Sequence, residues 1–339
     1  MTVQNSVHHP IPQATTLAYG AVVIGRNEGD RLRRCFESLM RSTAQIVYVD
    51  SGSTDDSVAL ASQLQLRSVA LDLSLPFTAA RARNAGLAAL RAWAPELNFV
   101  FFIDGDCEVK DGWMGSALEF LAHHPETVSV CGRLRERRPE ASVYNRLCDI
   151  EWSTPPGPAK ACGGIAVFRI APLVAVGGFR EDLIAGEEPE LCVRLRQAGW
   201  TVWRLADEMA LHDAAMTQLS QWWRRAKRGG HAAAEGAFLH GAPPERHGVA
   251  ATRRALLWGL LLPVATALAG LLLHPAAWLL LLAYPLQVLR LSLRYGAGTL
   301  LAWQRGFFMV LARFPEAAGV LQFHGNRLRQ RRSALIEYK

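Results

Sequence analysis

Short apolar runs alternate with helical patterns through the first hundred residues of the chain. The apolar runs predict buried strands at Leu17–Ile24, Gln45–Val49, Leu66–Leu71 and Phe99–Ile103. Apolar residues at helical spacing, together with capping residues, predict helices over Leu32–Met40, near Asp56–Gln65 and over Thr78–Trp93. This alternation predicts an α/β fold with a mixed, mostly parallel sheet flanked by helices.

Farther along the chain, one more helix and one more strand are predicted. Pro189 suits the first position of a helix, and Gly199 marks its end. A strand at Thr201–Leu205 is then followed by a short turn that leads to His212. Glu187 and Glu188 therefore lie at the amino end of the predicted helix.

The last third of the chain carries long apolar runs. Ala255–Leu273 has 19 residues without a charge, about the length that spans the hydrocarbon core of a bilayer. After a break at His274, a second run of 14 residues, Ala276–Leu289, ends at an arginine. Arginines flank only the outer ends of the pair, which predicts a helical hairpin over 255–290 with both ends in the cytosol. The alternative is a buried helical hairpin in a soluble domain.

A third apolar stretch, Thr299–Ala312, contains Gln304 and Arg305 in its middle. A membrane span at this position would carry the arginine cluster near the carboxyl terminus to the far side of the membrane. The stretch is therefore predicted to be an interfacial helix, followed by a basic tail.

Composition divides the chain in the same way. It has 339 residues, is half apolar, and carries 37 Lys+Arg against 30 Asp+Glu, which excludes a disordered or collagen-like protein. Residues 215–339 hold 16 basic and 4 acidic side chains, and residues 1–214 hold 21 and 26. The six cysteines form no CxxC pair, so a reducing compartment is expected. The basic charge lies beside apolar runs, which favours lipid over nucleic acid as its partner.

Four regions follow from these patterns. Residues 1–16 lack an apolar run and are predicted to form a loose lead-in without a signal peptide. Residues 17–214 form the α/β domain, and 215–254 form a basic, amphipathic interfacial region. Residues 255–339 form a membrane-associated region with the hairpin, the interfacial helix and the tail.

Two aspartates follow the predicted strand Phe99–Ile103. Asp104 and Asp106 flank Gly105 and lie within reach of one divalent cation, for which Mg²⁺ or Mn²⁺ suits the oxygen ligands. Asp50 likewise ends a strand, where a carboxylate can bind a nucleobase or ribose. The alternative for these aspartates is the capping of turns or helices.

Other polar residues have two interpretations each. Arg83 and Asn84 open a helix and suit diphosphate or base contacts, or else form a solvated helix face. A glutamate of the 187–188 pair is a candidate general base, or else decorates a helix end. His212 is a candidate metal ligand, or else a structural histidine.

An aromatic and basic segment precedes the apolar runs. Its members Trp222, Trp223, Arg224 and Arg225 are of the types that anchor a helix at the lipid headgroups, and phosphate binding is the alternative. A solvated basic face is the third interpretation, although adjacent tryptophans are unfavourable in water.

Taken in order, the motifs of Leu17–Trp223 closely resemble those of family 2 glycosyltransferases. The motifs are AVVIGRNEGDRLRRCFESL, VDSGSTDDS, ARARNAGL, FIDGDCEV, GGIAVFR, VGGFREDL and GEEPELCVRLRQAG. The resemblance implies the GT-A fold, which is Rossmann-like, and a nucleoside diphosphate-sugar donor, commonly a uridine diphosphate sugar.

The resemblance also implies roles by position. The donor-binding residues would be Asn27, Glu28, Asp50, Arg83, Asn84, Asp104 and Gly105. The metal ligands would be Asp106 and His212. Glu188 matches the second acidic residue of the family's Glu-Asp pair, the usual base, and so departs from the family by one methylene, which leaves Glu187 as the alternative base.

The function expected from these features is an inverting glycosyltransferase in the membrane, namely the bacterial inner membrane, with its catalytic domain in the cytoplasm. Its acceptor would be a hydroxyl of a lipid-linked molecule or other glycan in surface polysaccharide or glycolipid assembly. One alternative is a synthase that glycosylates polyprenyl phosphate, an acceptor that needs no base. Another is a membrane-tethered protein that binds a nucleotide sugar without turnover.

Overall fold

The computed structural model describes residues 18–331 and 335–337. The predicted lead-in 1–16, Leu17 and part of the predicted tail lie outside the described residues. The strands are β1 (Tyr19–Gly25), β2 (Ile46–Asp50), β3 (Arg67–Ala70), β4 (Phe99–Asp104), β5 (Cys107–Val109), β6 (Thr127–Glu136), β7 (Gly157–Pro158), β8 (Ala166–Arg169) and β9 (Thr201–His212).

Helices connect and follow these strands. Those of the α/β part are α1 (Asp30–Met40), α2 (Ser57–Gln63), α3 (Ala79–Trp93), α4 (Trp113–His123), α5 (Val143–Trp152), α6 (Ile170–Ala175) and α7 (Glu187–Gln197). Those of the remainder are α8 (Leu219–His240), α9 (Val249–Leu256), α10 (Leu262–Leu272), α11 (Ala283–Arg294), α12 (Leu300–Leu311) and α13 (Arg313–Leu328). A 3₁₀ helix covers Pro139–Ala141, a π-helical turn joins α9 to α10, and a 3₁₀ helix over Pro275–Leu282 precedes α11.

All strands belong to one mixed sheet, in the order β3-β2-β1-β4-β8-β6-β9-β5, with β7 beside β9. The pairs β1–β2, β1–β4 and β2–β3 are parallel, as the alternating pattern predicts. Strand β8 pairs antiparallel with both β4 and β6. The predicted mixed sheet with flanking helices is confirmed.

The predicted strands form the centre of the core. Every residue of β2 is buried, as are the first five residues of β4, and α1 and α3 contribute apolar side chains to the same core. The boundaries of these predicted elements differ by no more than two residues from those observed. Thr78 caps α3, since its side chain accepts a hydrogen bond from the amide of Arg81.

Two predicted boundaries around the site are wrong. Helix α7 begins at Glu187, two residues before Pro189, so both glutamates lie in its first turn. Strand β9 continues without a turn from Thr201 to His212, because it pairs with β6 along its length and with β5 on its other edge near its carboxyl end. Cys107 of β5 lies directly opposite His212 in this pairing.

The segment predicted as a basic tail is largely helical. Helix α13 packs closely along α8, since a Cβ atom at Gly230 would overlap the backbone of Glu316 and one at Gly319 would overlap that of Lys227. Small residues allow this close approach of the two backbones, and the sequence pattern of either helix alone does not reveal it.

Two helical segments, Val249–Leu272 and Pro275–Arg294, are long and apolar enough to cross a membrane, with 24 and 20 residues. The second is longer than its predicted apolar run because the helix continues past Arg290. The turn between them is highly exposed, and Leu271, Leu272 and Leu273 are 74–83% accessible. The interfacial helix predicted at 299–312 corresponds to α12, which lies with Gly306 against the backbone of Val288 in α11.

Glu235 of α8 is a buried carboxyl group whose ionisation opposes folding. Burial, reinforced by the charge of Asp182 and opposed by that of Arg180, raises the pKa of Glu235 from 4.5 to about 7. Between these values the folded chain holds a proton that the unfolded chain has released. The free energy of unfolding therefore falls as pH rises from about 4.5 to about 7.

We expect Glu235→Gln to remove this loss of stability. The variant should exceed the parent in unfolding free energy by about 3 kcal/mol at pH 8 and by less than about 1 kcal/mol at pH 5. Thermal unfolding in detergent over a pH series measures the difference, and the exposed Glu119 provides the control Glu119→Gln. The neighbouring His231, whose Nδ1 lies 3.6 Å from Glu235 Oε2, has a pKa that burial lowers to about 4, so in the folded chain it is largely uncharged over this pH range. A difference that does not grow with pH would contradict the prediction.

Candidate active site

The carboxyl ends of β1 and β4 and the amino end of α7 open into one cavity of about 1060 Å³. Many of the residues singled out in the sequence line it. These are Asn27, Glu28, Arg83, Asp104, Asp106, Glu187, Glu188, Trp222 and Arg225. Residues from the beginning, middle and end of the α/β part, and from α8, therefore share one space.

Asp104 and Asp106 are held by the turn between β4 and β5. The amide of Gly105 donates to the carbonyl of Ile24 in β1, at 2.8 Å. A Cβ atom at Gly105 would lie 3.0 Å from Leu32 and 3.3 Å from Glu28, so a small residue suits the turn. Asp106 is buried, while the carboxylate of Asp104 is partly exposed.

His212 completes a pair of donors with Asp106. Its Nε2 lies 3.2 Å from Asp106 Oδ2, because β9 brings His212 opposite Cys107. Two neighbouring ligands at about 2.1 Å from an octahedral ion are about 3 Å apart. The separation, the carboxylate and the imidazole therefore fit a small divalent cation. The other ring nitrogen of His212, Nδ1, is buried and has no hydrogen-bond partner among the described residues. The imidazole ring packs edge-on against Trp152.

Arg83 is fully buried and joins two of the carboxylates. Its guanidinium donates to Glu187 Oε1 at 2.6 Å and to Asp104 Oδ1 at 3.0 Å. Burial acts to raise the pKa of Glu187, but the Arg83 charge and further favourable contacts outweigh burial, and the pKa is lowered. Glu187 is therefore an ion-pair partner, and its carboxylate is a weak proton acceptor.

Glu188 faces the same cavity in a different setting. Its Oε1 accepts from the amide of Cys162 at 2.6 Å and lies 2.9 Å from the Sγ atoms of Cys162 and Cys192. Its Oε2 accepts from the amide of Gly163, at 2.9 Å. These donors hold the carboxylate in one orientation, and Oε2, with fewer donors among the described residues, keeps capacity for a further hydrogen bond.

Two loops meet beside the aspartates. Asn27 has a positive φ of 58°. Its side-chain Oδ1 accepts from the backbone amide of Thr54 at 2.7 Å, and its backbone amide donates to the hydroxyl of Ser53. Asp50 accepts from the hydroxyl of Tyr48 and from the amides of Gly52 and Ser53. Asp50 is buried and is not among the lining residues, so in this structure its carboxylate organises the loop.

Several other predicted residues lie outside the cavity lining. Both ends of the side-chain amide of Asn84 bond to the backbone of Phe179. Its Nδ2 donates to the carbonyl of Phe179, and its Oδ1 accepts from the amide of Phe179. Trp223 and Arg224 are exposed. The expectation that both tryptophans face lipid headgroups is wrong for Trp222, which is 7% exposed and packs against Phe308 in an apolar cluster.

The C-terminal helices supply a side of the cavity that sequence reasoning missed. Arg228 of α8, Arg305 and Phe308 of α12, and Arg313 of α13 line it, and Arg225 forms a two-bond ion pair with Glu151. The guanidinium of Arg305 stacks over the ring of Tyr295, at 3.7 Å. The position of Arg305 inside the apolar stretch 299–312 is the one sequence feature that could indicate its place at the cavity.

Known glycosyltransferases are similar in sequence to this chain. Residues 21–161 match the sequence model of Glycosyl transferase family 2. A pre-mycofactocin glycosyltransferase of Mycobacterium tuberculosis is 28% identical over 286 residues, which cover 78% of this chain and 57% of that protein. The O-antigen chain rhamnosyltransferase WbaN of Salmonella anatum is 23% identical over 202 residues, or 56% and 62% of the two chains. The chain thus spans less than two thirds of these curated relatives.

A solved structure shares the fold. The mannosyltransferase PcManGT from Pyrobaculum calidifontis, in complex with GDP-Man and Mn²⁺, superposes with a TM-score of 0.60 at 18% identity. The match covers 89% of this chain and 86% of that protein, so the similarity in fold extends beyond the sheet into the C-terminal helices.

Proposed function

Because the chain belongs to the family 2 glycosyltransferases, we propose that it transfers a sugar from a nucleoside diphosphate-sugar to an acceptor hydroxyl, with inversion at the sugar carbon. The observation that supports this reaction is the single cavity shared by Asp104, Asp106 and Glu188. It provides a place for a cation-bound diphosphate and, across the cavity, a carboxylate for the acceptor.

The donor half of the cavity is formed by the ends of β1 and β4. Asn27 and Glu28 lie where the nucleoside binds, and Asp104, held by Arg83, contacts the ribose or the sugar. Asp106 and His212 are the residues that would hold a divalent cation, Mg²⁺ or Mn²⁺. Such a cation, when bound, offsets the charge of the departing nucleoside diphosphate. We favour a uridine diphosphate sugar, although the relative of known structure binds GDP-Man.

Glu188 is the proposed general base. It removes the proton of the acceptor hydroxyl through Oε2 as the sugar–phosphate bond breaks, in one displacement. The ion pair of Glu187 with Arg83 supports this choice between the two glutamates. Buried Arg83 thereby orients Glu187 and Asp104, and it leaves Glu188 to act on the acceptor.

A lipid-linked acceptor fits the other half of the cavity. Arginines suit phosphate oxygens there, beside the apolar surface of Phe308 and Trp222. The two apolar segments 249–272 and 275–294 are long enough to cross a membrane and are little buried. We therefore propose that the protein lies in the bacterial inner membrane, contacts membrane lipids, and works from the cytoplasmic face on surface polysaccharide or glycolipid precursors.

One experiment tests this function and separates it from the main alternative. Detergent-solubilised protein is incubated with a panel of nucleotide sugars, Mg²⁺ or Mn²⁺, and one of three acceptors: a polyprenyl-diphosphate-linked sugar, polyprenyl phosphate, or a soluble glycan. Release of nucleoside diphosphate and labelled product are both measured. We expect transfer to the lipid-linked sugar.

The other outcomes have definite meanings. Transfer to polyprenyl phosphate alone, retained by Glu188→Gln, would support a polyprenyl-phosphate glycosyl synthase, for which the cavity arginines offer phosphate contacts. Transfer to the soluble glycan alone would contradict a lipid-linked acceptor. Donor binding without release of nucleoside diphosphate on every acceptor would contradict an enzyme.

A further inference from the structure

Two thiols lie against Oε1 of Glu188, whereas the proposed proton acceptor is the other oxygen, Oε2. Cys162 precedes β8 and Cys192 lies in α7, one turn after Glu188. Their Sγ atoms are 3.9 Å apart, and each is 2.9 Å from Glu188 Oε1. All three side chains are buried, and the three ligand atoms lie within 4.8 Å of one another.

We propose that Cys162, Cys192 and Glu188 bind a thiophilic divalent cation of the zinc class, and that this ion inactivates the base. Two sulfur ligands at about 2.3 Å from a tetrahedral ion are about 3.8 Å apart, so the two cysteines already have the required separation. A carboxylate oxygen in the same ion's shell lies about 3.5 Å from each sulfur. The Sγ to Oε1 distances must therefore widen by about 0.6 Å, which a change in side-chain rotamers can supply.

The cavity provides a route to these atoms. Gly163 and Gly164, next to Cys162, both line it. Gly163 has φ +88°, and a Cβ atom there would meet nothing within 4 Å, so the loop is open on this side. An ion that enters the cavity thus reaches the thiols by passing one short loop.

Binding must release protons. Burial and the Glu188 charge raise the pKa of the Cys162 thiol, and the contact with Cys162 and burial raise that of Cys192. Both thiols therefore carry protons in the free protein, and each ion displaces two as the sulfurs coordinate it. Affinity should rise steeply with pH, by about a hundredfold per pH unit while both thiols are protonated.

The consequence for catalysis rests on the proposed function, whereas the binding does not. Coordination through Oε1 withdraws negative charge from the carboxylate and leaves Oε2 a weaker proton acceptor. This site is separate from the Asp106 and His212 pair, whose oxygen and nitrogen donors suit a harder ion.

Cobalt(II) provides a test that does not depend on transfer. The full chain in detergent, reduced with a phosphine, is titrated with Co²⁺ alone, and the absorption band from thiolate-to-cobalt charge transfer is followed. We expect one equivalent to saturate the band. Cys162→Ser and Cys192→Ser should weaken binding by more than about tenfold, and at saturation each should keep only about half of the band, because one thiolate remains. Cys148→Ser, in the buried cluster around Trp222, is the matched control and should keep it.

Several outcomes would overturn the site. These are the absence of a band in the parent chain, a band of undiminished intensity in both variants, and a band that disappears in Cys107→Ser, which would place the ion beside Asp106. Thermal unfolding of each variant shows whether it is folded, and Cys192→Ala provides a second variant without a ligand atom.

The activity measurement then tests the inhibition. Zn²⁺ added to the transfer assay with Mg²⁺ in excess should inhibit at the concentration at which it displaces Co²⁺, and Cys192→Ser should need more than about tenfold more. A cobalt band together with zinc-insensitive transfer would overturn the inhibition while the site stands. A cobalt band without any transfer activity would count against the proposed function alone.

Discussion

Replacing Glu188 by glutamine is expected to lower kcat for sugar transfer by about a thousandfold while donor affinity changes by only a few-fold. The amide has nearly the same volume but accepts no proton, so the acceptor hydroxyl must lose its proton unaided. The donor contacts come from other residues of the cavity and remain. Steady-state transfer and equilibrium binding of the donor measure the two effects separately.

Two variants act as controls for this result. Glu188→Asp keeps a carboxylate but withdraws it by one methylene, and we expect a loss of about a hundredfold, since displacement by about 1 Å has that effect. Glu187→Gln removes a partner of buried Arg83, so it should lower the thermal stability of the protein as well as its activity. Unchanged transfer in Glu188→Gln with the lipid-linked sugar would reject Glu188 as the base, and a loss of activity confined to Glu187→Gln would have the same meaning.

The residues that sequence reasoning placed correctly share a local cause. Asp104 is the last residue of the buried strand β4 and Asp106 lies in the turn after it, and the carboxyl end of a strand in a parallel sheet faces the ligand side of the fold. The sequence pattern therefore predicted their position before the partners were known. The same holds for the glutamates at the amino end of α7, although the helix begins two residues earlier than predicted.

What the sequence could not show depends on contacts between distant segments. Arg83 and Glu187 are 104 positions apart, and nothing in either helix pattern indicates that they pair. The thiols of Cys162 and Cys192 meet at Glu188 only because a loop folds over α7. The sequence predicts that Asp50 faces a nucleoside, but its Oδ2 accepts from two amides of the tight turn after β2 and its Oδ1 accepts from the hydroxyl of Tyr48.

The C-terminal helices illustrate the same limit at a larger scale. Apolar length predicted two membrane-spanning segments, and the structure contains two exposed helical segments of suitable length. The packing of α13 on α8 depends on Gly230 and Gly319, whose lack of a side chain carries no apolar signal. That packing places Arg313 and Arg228 on the cavity, so the acceptor side could be found only in three dimensions.

Replacing Asp106 by alanine is expected to lower transfer by about a thousandfold and, unlike the change at Glu188, to weaken donor binding as well. The variant removes the buried carboxylate that lies 3.2 Å from His212 and leaves the imidazole as a single donor. Stabilising a departing diphosphate in such a site contributes several kcal/mol, which corresponds to about a thousandfold in rate. Donor affinity falls because the same interaction already exists before the bond breaks.

Removal of divalent cations and a variant at a surface aspartate provide the controls for this prediction. A chelator should reduce transfer by the parent chain to about the level of Asp106→Ala and should lower the variant little further. Asp111→Ala, which removes an exposed carboxylate paired with Arg41 outside the cavity, should leave kcat and donor affinity unchanged. Asp106→Asn keeps the volume and loses the charge, so it separates electrostatics from packing and should resemble the alanine variant. If Asp106→Ala transfers sugar at the parent rate, neither the cation nor the arrangement of β4, β5 and β9 around it has the role proposed here.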